Sequence, residues 1–104
     1  AYRGSRYHAH YTAAKSGLIG LTFSLARELA TDQITANIVS PGRIATDMLL
    51  DRADGRMDEW MSQIPLKRLG DAAETASAIA FLASDGARYI TGATIHVNGG
   101  AVMN

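Results

Sequence analysis

Hydrophobic side chains recur every three or four residues through the first third of the chain, which predicts one long α-helix over about residues 10–31. One apolar stripe consists of Leu18, Leu21, Leu25 and Leu29, and a second consists of Ile19, Phe23, Ala26 and Ala30. Small residues lie between the stripes, namely Ala13, Gly17, Gly20 and Ser24. Because a helix that is apolar on more than one side is buried on more than one side, we expect this helix to pack against two neighbours.

Two short apolar runs farther along the chain predict β-strands. Residues 34–39 are rich in β-branched side chains and end at Ser40-Pro41-Gly42, which predicts a buried strand followed by a turn. Residues 93–97 predict a second strand, closed by Asn98-Gly99-Gly100. Since a helix lies between them, we expect a parallel pair with a right-handed crossover, which is an α/β arrangement.

The number of strands indicates an incomplete sheet. Two strands do not form a stable open sheet by themselves, and the outer edge of the first would be exposed. We therefore expect further strands beside the first one, and we interpret residues 1–104 as a single partial domain that lacks its amino-terminal half. The first residue is Ala1 rather than Met, and this fits the same interpretation.

Helical patterns fill the interval between the strands. Residues 71–83 predict a helix, and Asp71 with Glu74 three positions later resembles a capping box. Its apolar face would consist of Ala76, Ile79, Ala80 and Ala83, widened by Phe81 and Leu82. Residues 47–64 form an amphipathic, Met-rich segment of one or two short helices. Adaptable Met side chains suit a mobile cover over a site, but ordinary core is an equally good interpretation.

Composition narrows the classes of partner. The 104 residues carry no formal net charge, so the chain lacks the electrostatic footprint of nucleic-acid or anionic-membrane binding. It has no cysteine, which excludes disulfides and thiolate metal sites and fits a cytoplasmic location. None of its apolar runs reaches the roughly 18 residues of a membrane span.

Tyr11 and Lys15 are the strongest candidates for chemistry. Their spacing of four places both side chains on one face of the predicted helix, a turn apart. A nearby ammonium favours the ionised form of a phenol, so the pair is suited to proton transfer. A packed aromatic beside a solvated charge is the alternative, and it is the usual explanation when Tyr-x-x-x-Lys occurs alone.

Other polar residues favour structural roles. The spacing of His8, His10 and His96 does not fit a metal site, so we predict no bound metal. His10 is the histidine best placed to line a pocket, because it precedes Tyr11. Asn37 in a strand is more often a structural amide than a ligand.

Four segments resemble motifs of the short-chain dehydrogenase/reductase family, in family order and with family spacing. They are Tyr11-Thr-Ala-Ala-Lys15-Ser-Gly-Leu; Ile34-Thr-Ala-Asn-Ile-Val-Ser-Pro41-Gly42-Arg-Ile44-Ala-Thr46-Asp-Met; Arg68-Leu-Gly-Asp with Ala80-Phe-Leu-Ala-Ser-Asp; and Tyr89-Ile-Thr-Gly92 with His96-Val-Asn-Gly-Gly100. The resemblance implies the carboxy-terminal part of a Rossmann-like, doubly wound parallel sheet that binds NADP or NAD.

The resemblance also implies roles for individual residues. Tyr11 would be the general acid that protonates a carbonyl oxygen, or the base in the reverse direction. Lys15 would assist it and bind the nicotinamide ribose. Pro41 and Gly42 would turn the chain beside the cofactor, where Ile44 and Thr46 would contact the nicotinamide carboxamide. The segment 47–64 would cover the substrate through Met48, Leu49, Met57, Trp60 and Met61.

Within the family, Ile64-Pro-Leu-Lys-Arg-Leu-Gly and His96-Val-Asn-Gly-Gly look most like 3-oxoacyl-[acyl-carrier-protein] reductases, which act on acyl-carrier-linked carbonyl groups. A small-molecule sugar, polyol or steroid is the alternative substrate, and a homotetramer or dimer is the expected assembly. The chain departs from the family in four ways. It lacks the Gly-rich phosphate turn and the asparagine usually found on the preceding helix. Ser5 stands too close to Tyr11 to be the family's catalytic serine, and Gln33 replaces a common glycine. The chain by itself would therefore be inactive, or an association module.

Overall fold

The computed structural model describes residues 9–103, and the predictions that concern Ser5 and His8 lie outside them. Helix α1 comprises Ala9–Leu29 and continues as a single 3₁₀ turn, Ala30–Asp32. Gln33 ends this unit with φ of 60°, a left-handed conformation that favours glycine. The long helix predicted from the hydrophobic period is confirmed.

Strand β1 (Ile38–Pro41) pairs in parallel with β2 (Thr94–Val97), as predicted. Ile38 lies opposite Thr94, and Pro41 opposite Val97. The prediction that β1 spans 34–39 and that Pro41 belongs to the turn is wrong. The strand starts four residues later and includes Pro41. Its ladder continues to Gly42, whose N–H donates to the Val97 carbonyl at 2.9 Å.

Asn37 explains where β1 begins. Its side-chain amide donates to the Ile90 carbonyl at 3.0 Å and accepts from the Ala93 N–H at 3.0 Å, so a side chain replaces the main-chain ladder at this point. This confirms the interpretation of Asn37 as a structural amide. β1 is half-buried and exposed at Pro41, so the prediction of a buried strand is wrong for residues 9–103.

Three more helices complete the order of elements. They are α2 (Asp47–Asp51), α3 (Met57–Gln63) and α4 (Ala72–Leu82), and a 3₁₀ turn, Asp85–Ala87, follows α4. The prediction of one or two short helices between residues 47 and 64 is confirmed. The capping box of α4 is confirmed as well, because the Glu74 carboxylate accepts the Asp71 N–H at 3.0 Å.

The predicted apolar face of α4 is the wrong one. Ala76, Ile79, Ala80 and Ala83 are all exposed. The half-buried positions of α4, which contacts both strands, are instead Thr75, Ala78 and Leu82. The helix is apolar nearly all round, so the hydrophobic pattern alone could not decide which side meets the sheet.

The core of the described residues is small, and most of α1 lies outside it. The buried apolar residues are Ala26, Ala53, Trp60, Ile64 and Ala87. In α1 only Thr22 and Ala26 are buried, and a Cβ added at Gly17 or Gly20 would meet nothing within 4 Å. The expectation that α1 is buried on two sides is therefore wrong for residues 9–103, because the small stripe is exposed and so are Leu18 and Leu21.

Candidate functional site

The amino-terminal half of α1 brings Tyr11 and Lys15 together. The Lys15 Nζ lies 5.4 Å from the centroid of the Tyr11 ring, which is within the range of a cation–π contact. Both residues are exposed, Tyr11 at 49%. The predicted common face is therefore confirmed, and the pair is open to a ligand. His10 is exposed beside it.

The carboxyl end of β1 is built by close packing against β2. A Cβ on Gly42 would lie 2.6 Å from the Cβ of Asn98, so only glycine fits here. The sequence predicted that Gly42 allows close approach of a cofactor. In the structure it is Asn98 that lies close to Gly42. Beyond Gly42 the chain pairs with Gly70, whose carbonyl accepts the Ala45 N–H at 2.8 Å and whose N–H donates to the Arg43 carbonyl at 2.9 Å.

A shallow cavity of about 250 Å³ opens beside this segment. Its lining includes Gly42, Ile44, Thr46, Met48 and Leu49, five of the predicted site residues. Tyr11 and Lys15 do not line it. The structure thus forms two groups of predicted residues, one on α1 and one at the end of β1.

Thr46 has a structural role within the second group. Its hydroxyl oxygen accepts the Leu49 N–H at 3.2 Å and caps α2. Thr46 is therefore the N-cap residue of α2. A hydroxyl that accepts still has its own proton to donate, so the cap does not prevent Thr46 from binding a ligand carbonyl.

Helix α3 is fixed by contacts of Trp60 and Gln63 with Arg43. The Arg43 guanidinium lies 5.0 Å from the Trp60 ring centroid and donates to the Gln63 side-chain oxygen at 2.8 Å. Trp60 is only 7% exposed, as a core residue would be. Among the other predicted cover residues, Met48 is exposed and Leu49, Met57 and Met61 are half-buried. This role of Arg43 could not be predicted, because nothing in the sequence marks a single cation as the partner of a distant tryptophan.

A second, larger cavity of about 420 Å³ lies at the carboxyl end of β2, where Arg68, Glu74, His96, Asn98 and Gly100 are among its lining residues. Arg68 makes a two-pronged ion pair with Glu74 at 2.7 and 2.8 Å. These hydrogen bonds, aided by the Asp71 N–H, lower the pKa of the Glu74 carboxyl from 4.5 to about 2.

Two features are absent from residues 9–103. The described part of the chain has no group of three or more His, Cys, Asp or Glu residues that could hold a metal ion. No helix in the same range is long and apolar enough to cross a membrane.

Comparison with known proteins places this geometry in a family. The family described as enoyl-(acyl carrier protein) reductase matches residues 1–102. The chain belongs to the short-chain dehydrogenase/reductase family. A crystal structure of a short-chain dehydrogenase/reductase, glucose/ribitol dehydrogenase, from Brucella melitensis is 50% identical, with a TM-score of 0.88 over 99% of this chain and 42% of that one.

Several relatives in this family are 3-oxoacyl-[acyl-carrier-protein] reductases. The chain is 55% identical over 100 residues to that of Salmonella typhimurium, 54% to that of Escherichia coli and 53% to that of Staphylococcus epidermidis. Each match covers 96% of this chain and 41% of the relative, so the chain spans about two-fifths of the length of these relatives. The family match confirms the α/β fold class and the resemblance inferred from the four motifs.

Proposed function

We propose that this chain forms part of an oxidoreductase that transfers hydride between a nicotinamide dinucleotide, NADP or NAD, and a carbonyl or alcohol group. The observation that carries the proposal is the exposed pair on α1, with the Lys15 ammonium 5.4 Å from the Tyr11 ring centroid. The similarity to several 3-oxoacyl-[acyl-carrier-protein] reductases supports it.

Tyr11 acts as the acid in this proposal. Its hydroxyl donates a proton to the carbonyl oxygen of the substrate during reduction and takes the proton back during oxidation. Lys15 stabilises the phenolate that remains, because opposite charges attract, and it donates a hydrogen bond to the ribose of the cofactor. The nicotinamide supplies or accepts the hydride when it is bound.

Two features at the end of β1 support binding of the cofactor there. Ligands of open α/β sheets bind at the carboxyl ends of the strands, and the cavity at Gly42–Thr46 lies at that end of β1. Thr46 has a hydroxyl proton to donate to a carboxamide oxygen, since its oxygen lone pair is the part that caps α2. We therefore assign the carboxamide to Ile44 and Thr46, with Pro41 and Gly42 shaping the strand end beside them.

We propose a 3-oxoacyl group on an acyl carrier as the substrate. The relatives that bear this activity in their names support it, with more than half of the aligned residues identical. A sugar or polyol is the alternative, because the Brucella melitensis structure bears the name glucose/ribitol dehydrogenase. Met48, Leu49, Met57, Trp60 and Met61 would cover either substrate.

Kinetics of a full-length enzyme that carries this chain test the acid assignment. Tyr11→Phe should lower kcat by about 10²- to 10⁴-fold with little change in cofactor affinity, because it removes only the transferable proton. Lys15→Ala should weaken both kcat and cofactor affinity. Tyr89→Phe is the matched control, because Tyr89 is fully exposed and should lose nothing. Near-normal kcat for Tyr11→Phe would show that the acid is another residue.

A second candidate function is a non-enzymatic association module. One observation favours it, since α1 exposes Leu18, Leu21 and Phe23, with Leu21 at 55%, and these apolar side chains lack cover within residues 9–103. Exposed apolar faces of this kind favour assembly. Association through α1 and through α4 with β2 would also produce the homo-oligomer that we expect. Binding of NADH or NADPH by a full-length protein that carries this chain distinguishes the two candidates, because only the oxidoreductase requires it.

A further inference from the structure

Helix α3 is held at the carboxyl ends of both strands. Arg43, which follows β1, contacts Trp60 and Gln63 as described above. The loop that follows β2 contacts the segment after the carboxyl end of α3, which consists of Ile64, Pro65 and Leu66. The Leu66 N–H donates to the Gly99 carbonyl at 3.0 Å.

Gly99 is the tightest point of this second contact. Its φ is +64°, and a Cβ placed there would lie 2.7 Å from the Cγ2 of Ile64. Real Cβ atoms do not come so close, so a side chain at residue 99 requires a shift of Ile64 or of the loop that carries Gly99. Ile64 is 2% exposed and directly follows the last residue of α3, Gln63. Because interiors are close-packed, displacing Ile64 moves the helix attached to it.

The Asn98 side chain makes two hydrogen bonds within the loop. The Asn98 side-chain oxygen accepts the Gly100 N–H at 2.9 Å, and its amide donates to the Val102 carbonyl at 3.0 Å. Asn98 itself packs on Gly42, so one residue joins the loop to the end of β1. Gly100 also faces the α3 connection, with an added Cβ 3.0 Å from Pro65 Cγ.

We propose that Gly99 is a positioning residue that sets where α3 lies, through Ile64 and Leu66, and so sets the position of the substrate cover. The step from α3 to the cover rests on the proposed function. The step from Gly99 to α3 does not, because it depends only on contacts within the chain.

Trp60 offers a direct test of the first step. It is the single tryptophan of the 104 residues, it lies in α3, and it is buried, so its fluorescence reports the position of this helix. In Gly99→Ala we expect Trp60 emission to shift to longer wavelength and acrylamide quenching to increase. Gly55→Ala is the matched control, because Gly55 also has a positive φ, +79°, but an added Cβ would meet nothing within 4 Å. Equal emission and quenching in the two variants would overturn the proposal.

A graded variant covers the case in which Gly99→Ala does not fold, as judged by far-ultraviolet circular dichroism. Gly100→Ala presses on the edge of the Pro65 ring, so we expect a smaller change of Trp60 emission in the same direction. If Trp60 emission changes no more in Gly100→Ala than in Gly55→Ala, that result alone overturns the proposal.

Kinetics test the second step separately. In an active enzyme, Gly99→Ala should raise KM for the carbonyl substrate severalfold more than it lowers kcat, since it disturbs the cover and leaves Tyr11 and Lys15 in place. If Trp60 responds but KM does not, Gly99 positions α3 and the cover assignment in the proposed function is wrong. If the protein reduces no carbonyl at all, the fluorescence comparison still decides the role of Gly99.

Discussion

Gln33 shows how one residue can sit in a conformation that its side chain disfavours. It ends the α1 unit at φ of 60°, and its N–H donates to the Ala30 carbonyl at 3.0 Å. For residues with a Cβ, the left-handed region costs roughly 1–2 kcal/mol, and glycine avoids this cost. The position therefore calls for glycine on backbone grounds alone.

We predict that Gln33→Gly raises the free energy of unfolding by up to about 1 kcal/mol, since relief of strain exceeds the added entropy of the unfolded chain. The midpoint of urea unfolding measures it. Glu28→Gly, within α1, should do the opposite and destabilise by about 0.5–1 kcal/mol, because glycine weakens a helix interior. A lower midpoint for Gln33→Gly would contradict the prediction.

At this scale the sequence predicted which residues share a helix face better than which residues meet across the fold. The spacing of Tyr11 and Lys15 was enough, because helix geometry fixes which residues four apart share a face. Trp60 and Arg43 meet through the tertiary fold, and no local rule relates residues seventeen apart in separate elements. For the same reason the sequence could not show whether Trp60 covers the substrate or belongs to the hydrophobic core.

Helix α4 illustrates the scale of elements, because its first turn is held mainly by Glu74. That carboxylate accepts from the Asp71 N–H and from Arg68, and its pKa falls to about 2. A carboxyl with a lowered pKa in the folded state stabilises the fold above its ordinary pKa, and the contribution disappears as pH falls toward the folded value.

We predict that Glu74→Gln destabilises the chain above about pH 4.5 and that the difference from wild type shrinks to nothing near pH 2. The effect should be small, because the ion pair is largely exposed. Unfolding in urea between pH 2 and pH 7 measures it. Glu28→Gln, at an exposed site on α1, is the matched control. A constant difference at all pH values would contradict the prediction.

The types and order of elements were predictable, but their bounds and faces were less so. The hydrophobic period identified α1, a capping box helped to identify α4, and amphipathic character indicated short helices between residues 47 and 64. The helix between two apolar runs identified the parallel pair. β1 started late because Asn37 satisfies main-chain groups with its side chain. The buried face of α4 depends on which side the sheet lies, and a helix rich in Ala carries little information about that.

The whole molecule is extended for its length. Its Cα radius of gyration is 15.7 Å, whereas a compact domain of about 100 residues measures about 13 Å. The cavity beside Thr46 is shallow, and Tyr11 and Lys15 stand apart from it. These residues would therefore form only part of a binding site for a dinucleotide.

We predict that the 104-residue chain alone binds neither NADH nor NADPH and reduces no carbonyl, because it lacks a Gly-rich turn for the pyrophosphate. Fluorescence titration of the reduced nicotinamide measures binding, and a full-length enzyme that carries the chain is the positive control. Turnover by the chain alone would remove the association-module candidate and the expectation of an incomplete domain together.

Pro41 has a consequence for concentrated solutions. Main-chain donors alternate along a strand, and Ile38 and Gly42 direct theirs to β2, so the proline nitrogen faces the unpaired side of β1. A strand from another chain could pair on that side with only four residues, and the last of them, Pro41, has no N–H to donate. A strand from another copy that pairs with this edge should therefore receive no main-chain hydrogen bond from residue 41.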